Sequence, residues 1–393
     1  MALVILRTRN QIDEDMMEKK LKVVNMPVLL EEMRAAGLDA AVVASPENFF
    51  YLSGWKIQTQ VLIRDRLALG IVTADGAITL VVCKNEETQT RRYASVDDIR
   101  TYAEFADSPM KIVADVLAEK GLAKSRVGIE RKYITADYFD DLEQRVPGAK
   151  LASCDKAFDR TRMVKTQPEI DALTQAARGT DDAIQRALKT AKPGDTEHKL
   201  ARVMSDTLFE LGHGEFRDIT WSVSSGPNIT TTHYWSGERQ LADNDMVKIG
   251  VRSAINGYYS HLYRMAAVGH ASERHLDWYK KARDVQYRAI DRLRPGARAC
   301  DLYHAVKKDI ESVGGSYRGS LFAHSTGIAL HENPRIQPQD ETVLVAGMVI
   351  ASEPRVVDPD YCFYHLEDLV LVTDKDPVRL SDRTNLDELF VIR

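Results

Sequence analysis

Two glutamates in the second half of the chain, Glu353 in ASEP and Glu367 in HLED, each follow an apolar run of strand length. A carboxylate at the end of a buried strand is desolvated, which is costly unless the group is paired, metal-bound or functional. Two carboxylates in one cleft can share a proton, so that one rises in pKa and serves as a general acid or base. The competing structural reading is an ion pair with Arg355 or Arg264. Histidines accompany them: His324 and His331 in HSTGIALH, His261 in YYSHLYR, and His233 in GPNITTTHYWSG. Period-two alternation puts His261 on one strand face with Tyr259 and Tyr263. The Gly-Pro-Asn loop before His233 favours a cleft lip, while its neighbours Thr232, Tyr234 and Trp235 also suit buried packing. His261, His324, Glu353 and Glu367 together offer the N and O donors of one divalent-ion site. Arg335 follows HENP, and Arg64 and Arg66 lie in VLIRDRLALG. Arginine binds carboxylates bidentately, so convergence of these groups would select a small carboxylate-bearing substrate. The plainer reading of Arg64 and Arg66 is a solvated turn paired with Asp65.

The elements that must position these groups divide into two expected domains, residues 1–160 and 161–393. The first reads as a small α/β domain. MPVLLEEMRAAGLDA has helical spacing and stops at Gly37, and AAVVA is a buried-type strand followed by a Ser-Pro turn. LALGIVT, ITLVVC, IRTYAE and RVGIE are further strand candidates, with MKIVADVLAEKG as a helix. RTRMVKTQPEID is a charged connector that opens a helix at Pro168. The second domain, of α+β character, carries an internal echo. Residues 177–212 and 282–314 each read as helix, Pro-Gly, helix, glycine, punctuated by Pro193-Gly194 and Pro295-Gly296. That separation is too long for a solenoid and fits a duplicated half-domain with a pseudo-twofold axis.

Composition bounds the rest. The 393 residues are 44% hydrophobic and 28% charged, ordinary for a globular protein. A net charge of −5 without a Lys/Arg run gives no footprint for nucleic acid. The longest apolar runs are strand-length, so no membrane partner is expected. The start MALVILRTRN reverses the charge order of a signal peptide, and a cytoplasmic location is expected. Cys83, Cys154, Cys300 and Cys362 have neither metal nor redox spacing and read as reduced thiols.

The order of these segments resembles the creatinase/prolidase/aminopeptidase P superfamily, whose catalytic domain has the pita-bread fold. The resemblance spans nearly the whole chain, including AGLDAAVVASPENFFYLSGW in the first domain. In metallopeptidase members two aspartates, a histidine and two glutamates hold two metal ions. The matching positions here are Gly250, His261, His324, Glu353 and Glu367, so both aspartates are absent. Creatinase-type members, which work without metal, also lack them. The resemblance implies that His233 is a catalytic acid and base, that His331 contacts substrate and that Arg335 binds the substrate carboxylate. It places Arg64 and Arg66 where one subunit reaches into its partner's site in a homodimer. Tyr263 stands where creatinase-type members bind a guanidinium through a glutamate, which argues against creatine itself.

The expectation is therefore a metal-independent hydrolase of a linear or cyclic C–N bond, creatinase-like or ectoine-hydrolase-like, requiring no cofactor. Glu353 and Glu367 would deprotonate water, His233 would protonate the leaving nitrogen, and His324 and His261 would stabilise developing charge. Tyr259 and Tyr263 would line the substrate. The alternative is an Xaa-Pro dipeptidase-like or aminopeptidase P-like metallohydrolase with one ion on His261, His324, Glu353 and Glu367. A sulfonium lyase and a non-catalytic binding module are further alternatives.

Overall fold

A computed structural model describes residues 22–63, 65–212, 220–232, 234–317, 319–360 and 362–393. Arg64 and His233 fall outside the described residues. The chain separates into two compact units, one ending at Thr161 and the other beginning at Arg162. The architecture is mixed α/β throughout.

The first unit holds one six-stranded sheet. Its strands are β1 (Ala40–Val43), β2 (Leu69–Thr73), β3 (Ile78–Cys83), β4 (Ile99–Tyr102), β5 (Arg126–Ile129) and β6 (Lys150–Ser153), in the order β4-β3-β2-β1-β5-β6. Only the β1–β2 and β2–β3 pairs are antiparallel. β1 is buried along its whole length, as its unbroken apolar run requires. The Ser-Pro turn after it is in fact a helix start. Ser45 accepts a hydrogen bond from the Asn48 amide and Pro46 opens the helix Pro46–Ser53, which ends at Gly54 with φ +67°. β6 and the helix Ala136–Arg145 have too few apolar residues to announce themselves by periodicity.

The second unit repeats itself. Helices Gln167–Thr190 and Glu197–Glu210 form one pair, and Glu273–Asp291 and Ala299–Ser312 the other. Both Pro-Gly turns adopt the same left-handed conformation, Gly194 at φ +87° and Gly296 at φ +88°. Each glycine amide then donates to a leucine carbonyl of the following segment, Gly194 to Leu241 and Gly296 to Leu344. Equivalent hydrogen bonds at equivalent turns are what a duplicated half-domain produces.

Each half contributes strands. The first supplies β7 (Thr220–Ser225), β8 (Met246–Ile255) and β9 (Tyr258–Val268), with β17 (Phe390–Ile392) closing the order β17-β9-β8-β7. The second supplies β10 (Ala323–Ser325), β11 (Glu332–Ile336), β12 (Val349–Ser352), β15 (Asp368–Leu371) and β16 (Val378–Arg379), ordered β11-β10-β12-β15-β16. A two-stranded ribbon, β13 (Arg355–Val357) with β14 (Phe363–His365), connects β12 to β15. Trp278, Ala282, Val285 and Ala289 recur every three or four residues along one helix. They join a core with Val306, Ile310, Ile350 and Val370. No helix among the described residues is long and apolar enough to cross a membrane.

The two sheets are joined at Arg264. This side chain is 1% exposed. It pairs with Asp368 at 3.0 Å and Asp181 at 3.3 Å and donates to the Tyr263 and Glu367 carbonyls. A guanidinium can be buried so deeply only when its charge is matched on several sides. Replacing it by Met should strand two buried carboxylates and destabilise the protein by about 3–5 kcal/mol. Urea unfolding of Arg264→Met checks this through a lowered midpoint at unchanged m-value.

Candidate active site

Glu353 follows the end of β12, and Glu367 lies between β14 and β15. Their placement is set by backbone. The Glu367 amide donates to the Tyr263 carbonyl on β9 at 3.1 Å, and the Glu353 amide donates to the Phe322 carbonyl at 2.9 Å. The Glu367 carboxylate is fully buried, and neither of its oxygens accepts a hydrogen bond among the described residues. Arg264, a partner considered from sequence, is committed to Asp368 and Asp181 instead. Burial, reinforced by the Glu353 carboxylate, pushes Glu367 well above the usual carboxylate range. Without a cation beside it, this pair must hold a proton.

Three histidines touch these carboxylates. His261 Nδ1 lies 3.3 Å from Glu367 Oε2, His324 Nε2 lies 3.8 Å from Glu353 Oε1, and His365 Nε2 lies 3.2 Å from Glu353 Oε2. Burial pushes both His261 and His324 down to about 4, so both are neutral at pH 7. His324 Nδ1 is 3.0 Å from the Ser325 carbonyl, and Nε2 is buried without a hydrogen-bond partner. A proton on Nδ1 satisfies the carbonyl and leaves the Nε2 lone pair facing Glu353.

One ligand atom each of Glu353, His365 and Glu367 lies within 4.8 Å of the others. Two donors bonded to one ion at about 2.1 Å stand roughly 3.4 Å apart in a tetrahedron, and His365 Nε2 stands 3.2 Å from Glu353 Oε2. Neutral imidazole, two carboxylates and unsatisfied buried oxygens are the donor set of a divalent cation, so the residues fit one. The converging trio takes His365 where sequence reasoning took His261 and His324, which flank it at one carboxylate each. His365 was missed because HLED gave it no signal beyond proximity to Glu367. Alternation across β14 and its stacking on Tyr263, with ring centroids 4.1 Å apart, bring it inward.

Other expected residues distribute around this centre. His331 stacks on His324 at 3.7 Å and is exposed. Arg335 pairs with His324 in the β10–β11 register and is exposed on the same face. Tyr263 is buried against His261 and His365, whereas the Tyr259 amide donates to Gly327. Arg66, in the first unit, forks onto Glu104 with contacts of 2.7 and 2.8 Å, so its partner is not Asp65.

Two buried ions hold the loops, and sequence reasoning missed both. Lys248 is fully buried and donates to the carbonyls of Thr231 at 2.7 Å and Thr232 at 3.3 Å. Burial lowers its pKa to about 8. Glu332, beside His331, accepts from Lys165 Nζ at 3.1 Å, the Ala329 amide at 3.1 Å and Arg162. Burial alone would raise Glu332, but the two cations outweigh it and hold it at about 2.

The comparisons with known proteins agree with this architecture. The model for metallopeptidase family M24 matches residues 171–374, and the creatinase/prolidase N-terminal domain matches residues 27–164. The chain belongs to the M24 family, and it is an M24-type hydrolase with a creatinase-type N-terminal domain. It is 27% identical over 346 residues to a creatinase from Bacillus sp. (strain B-0618), covering 84% of this chain and 82% of that protein. It is 24% identical over 354 residues to an Xaa-Pro dipeptidase from Pyrococcus furiosus, covering 90% and 96%. The solved prolidase from Pyrococcus furiosus superposes with a TM-score of 0.76 at 23% identity, covering 91% of this chain and all of that one.

These findings correct the expected function. Most named relatives and solved neighbours are peptidases, Xaa-Pro dipeptidases and prolidases among them, which overturns the metal-independent, creatinase-like reading. The expectation that no cofactor is required falls with it. The physical reason lies in Glu367, whose buried carboxylate oxygens accept no hydrogen bond among the described residues.

Glu332 yields a pH prediction. Its folded pKa of about 2 lies below the ordinary 4.5. Its stabilisation, on the order of 3 kcal/mol, is fully present above pH 4.5 and is lost as pH falls toward 2. Urea midpoints of the wild type and Glu332→Gln, compared between pH 6 and pH 3, should converge as the pH drops.

Proposed function

We propose that this protein is a metal-dependent hydrolase of Xaa-Pro dipeptides, with one divalent ion held by Glu353, His365 and Glu367. The observation that carries the reading is the fully buried Glu367 carboxylate, without a hydrogen bond among the described residues, facing a second carboxylate and an imidazole. The names of the dipeptidase relatives support it. A divalent ion in such a site supplies Lewis acidity toward the scissile carbonyl and acidifies water.

The chain's own groups account for the rest. His324, oriented through Ser325, holds its Nε2 lone pair 3.8 Å from Glu353 Oε1, where it would accept the proton that the carboxylate pair shares. His261 flanks the other carboxylate, its Nδ1 3.3 Å from Glu367 Oε2. His331, exposed over His324, is placed to meet the substrate. Arg335, across the strand pair from His324, is placed to take the dipeptide's terminal carboxylate in a bidentate contact. His233 remains the candidate proton donor to the leaving nitrogen, on the family resemblance alone.

Purified protein should cleave Xaa-Pro dipeptides supplied with Mn²⁺, Co²⁺ or Zn²⁺, lose activity on exhaustive chelation and recover it when the ion returns. His365→Ala should reduce kcat/KM by at least about 100-fold, since even outer-shell changes at metal sites cost 10–100-fold. Cleavage that survives chelation undiminished, or no cleavage of any Xaa-Pro dipeptide, would sink the proposal.

A further inference from the structure

Gly250, Tyr263 and Ser222 form a line across three strands. In the β7–β8 register Ser222 faces Gly250, and in the β8–β9 register Gly250 faces Tyr263. The Tyr263 side chain crosses the glycine toward Ser222. A Cβ at position 250 would lie 2.4 Å from Tyr263 Cδ1, 2.6 Å from Cε1 and 2.7 Å from the Leu262 carbonyl. No side chain fits there while the ring is in place.

The ring is fixed on its other sides. Tyr263 is 5% exposed, stacks on His365 with ring centroids 4.1 Å apart, and meets His261 edge-on at 4.9 Å. Lys248, two residues before Gly250 on the same strand face, holds its Nζ 5.9 Å from the ring centroid. A second cation near Gly250 would meet aromatic carbon instead of donor oxygen, with a buried ammonium behind it.

We propose that Tyr263 fixes the metal stoichiometry of this site at one, by filling the space over Gly250 that a second ion and its carboxylate ligand would need. The inference rests on the metal-dependent reading above and adds a residue to it. Tyr263 acts in two ways. It blocks the second position sterically, and its stacking holds His365 against Glu353 as a ligand of the first. The missing aspartate at position 250 and the tyrosine at 263 are thus one structural change, because an aspartate at 250 and this ring cannot coexist.

The test is metal binding, read without any assay of activity. Metal-free protein is titrated with Mn²⁺ by calorimetry, and bound metal is measured after dialysis. The wild type should bind one ion per chain. The variant Gly250→Asp/His261→Asp/Tyr263→Thr, which restores two carboxylates and removes the ring, should bind two. One ion in both proteins would overturn the role of Tyr263, and two ions in the wild type would overturn the proposal while leaving metal dependence standing. Binding of no ion by the folded wild type would remove the underlying reading as well. If the triple variant does not fold, electron paramagnetic resonance of the Mn²⁺-saturated wild type decides. An isolated-ion hyperfine pattern supports the proposal, and an exchange-coupled pair overturns it.

Discussion

Two carboxylates buried side by side impose the constraint on which this structure depends. Glu367 is wholly removed from water and Glu353 is nearly so. Like charges in a medium of low dielectric cannot both persist without a cation or a proton. Backbone hydrogen bonds hold the arrangement, and the guanidinium charges of Arg355 and Arg264 offset part of the repulsion. The amides of Glu353 and Glu367 are each pinned to a carbonyl of a neighbouring segment, and Arg264 fastens the Glu367 carbonyl from behind. The fold therefore uses rigid backbone hydrogen bonds to keep two repelling groups side by side.

Around that centre, buried charge is used for positioning. Arg264 answers Asp368 and Asp181, Lys165 and Arg162 answer Glu332, and Lys248 answers the Thr231 and Thr232 carbonyls. Each ends beside a segment that carries a candidate catalytic group. Glu197 does the same for the segment around Tyr234, accepting from Ser225, Asn228 and the Gly237 amide. Buried ion pairs contribute little net stability relative to apolar packing, but they fix geometry, because breaking one leaves a stranded charge. This is a frame built to hold loops still.

Membership in a metallopeptidase family sits with an altered donor set. Two positions that carry aspartates in the resemblance are Gly250 and His261, and the inner surface of β8 and β9 is aromatic and basic where it would be acidic. His365 and the Tyr263 ring occupy the altered region together. Glu353, Glu367 and His365 together offer a mixed oxygen and nitrogen donor set.

The catalytic-looking segments, their order, the duplicated half-domain and most strands of the first domain were legible in the sequence. Each depends on local pattern: apolar runs, Pro-Gly punctuation and short motifs around His324, Glu353 and Glu367. What the sequence could not supply was which histidine converges on both glutamates. His365 lies beside Glu367 in the chain, yet it meets Glu353 because the β13–β14 ribbon turns it inward and Tyr263 stacks upon it. Nor could sequence tie Gly250 to Tyr263, thirteen residues on, since only the β8–β9 register lays one across the other. The proposed metal dependence turned on the same distinction. Losing two aspartates reads as losing metal, whereas the unsatisfied oxygens of Glu367 appear only once burial is known. The chain's pattern determined the family and the candidate groups, and tertiary packing decided which of them share a site, because convergence and desolvation belong to three-dimensional neighbours.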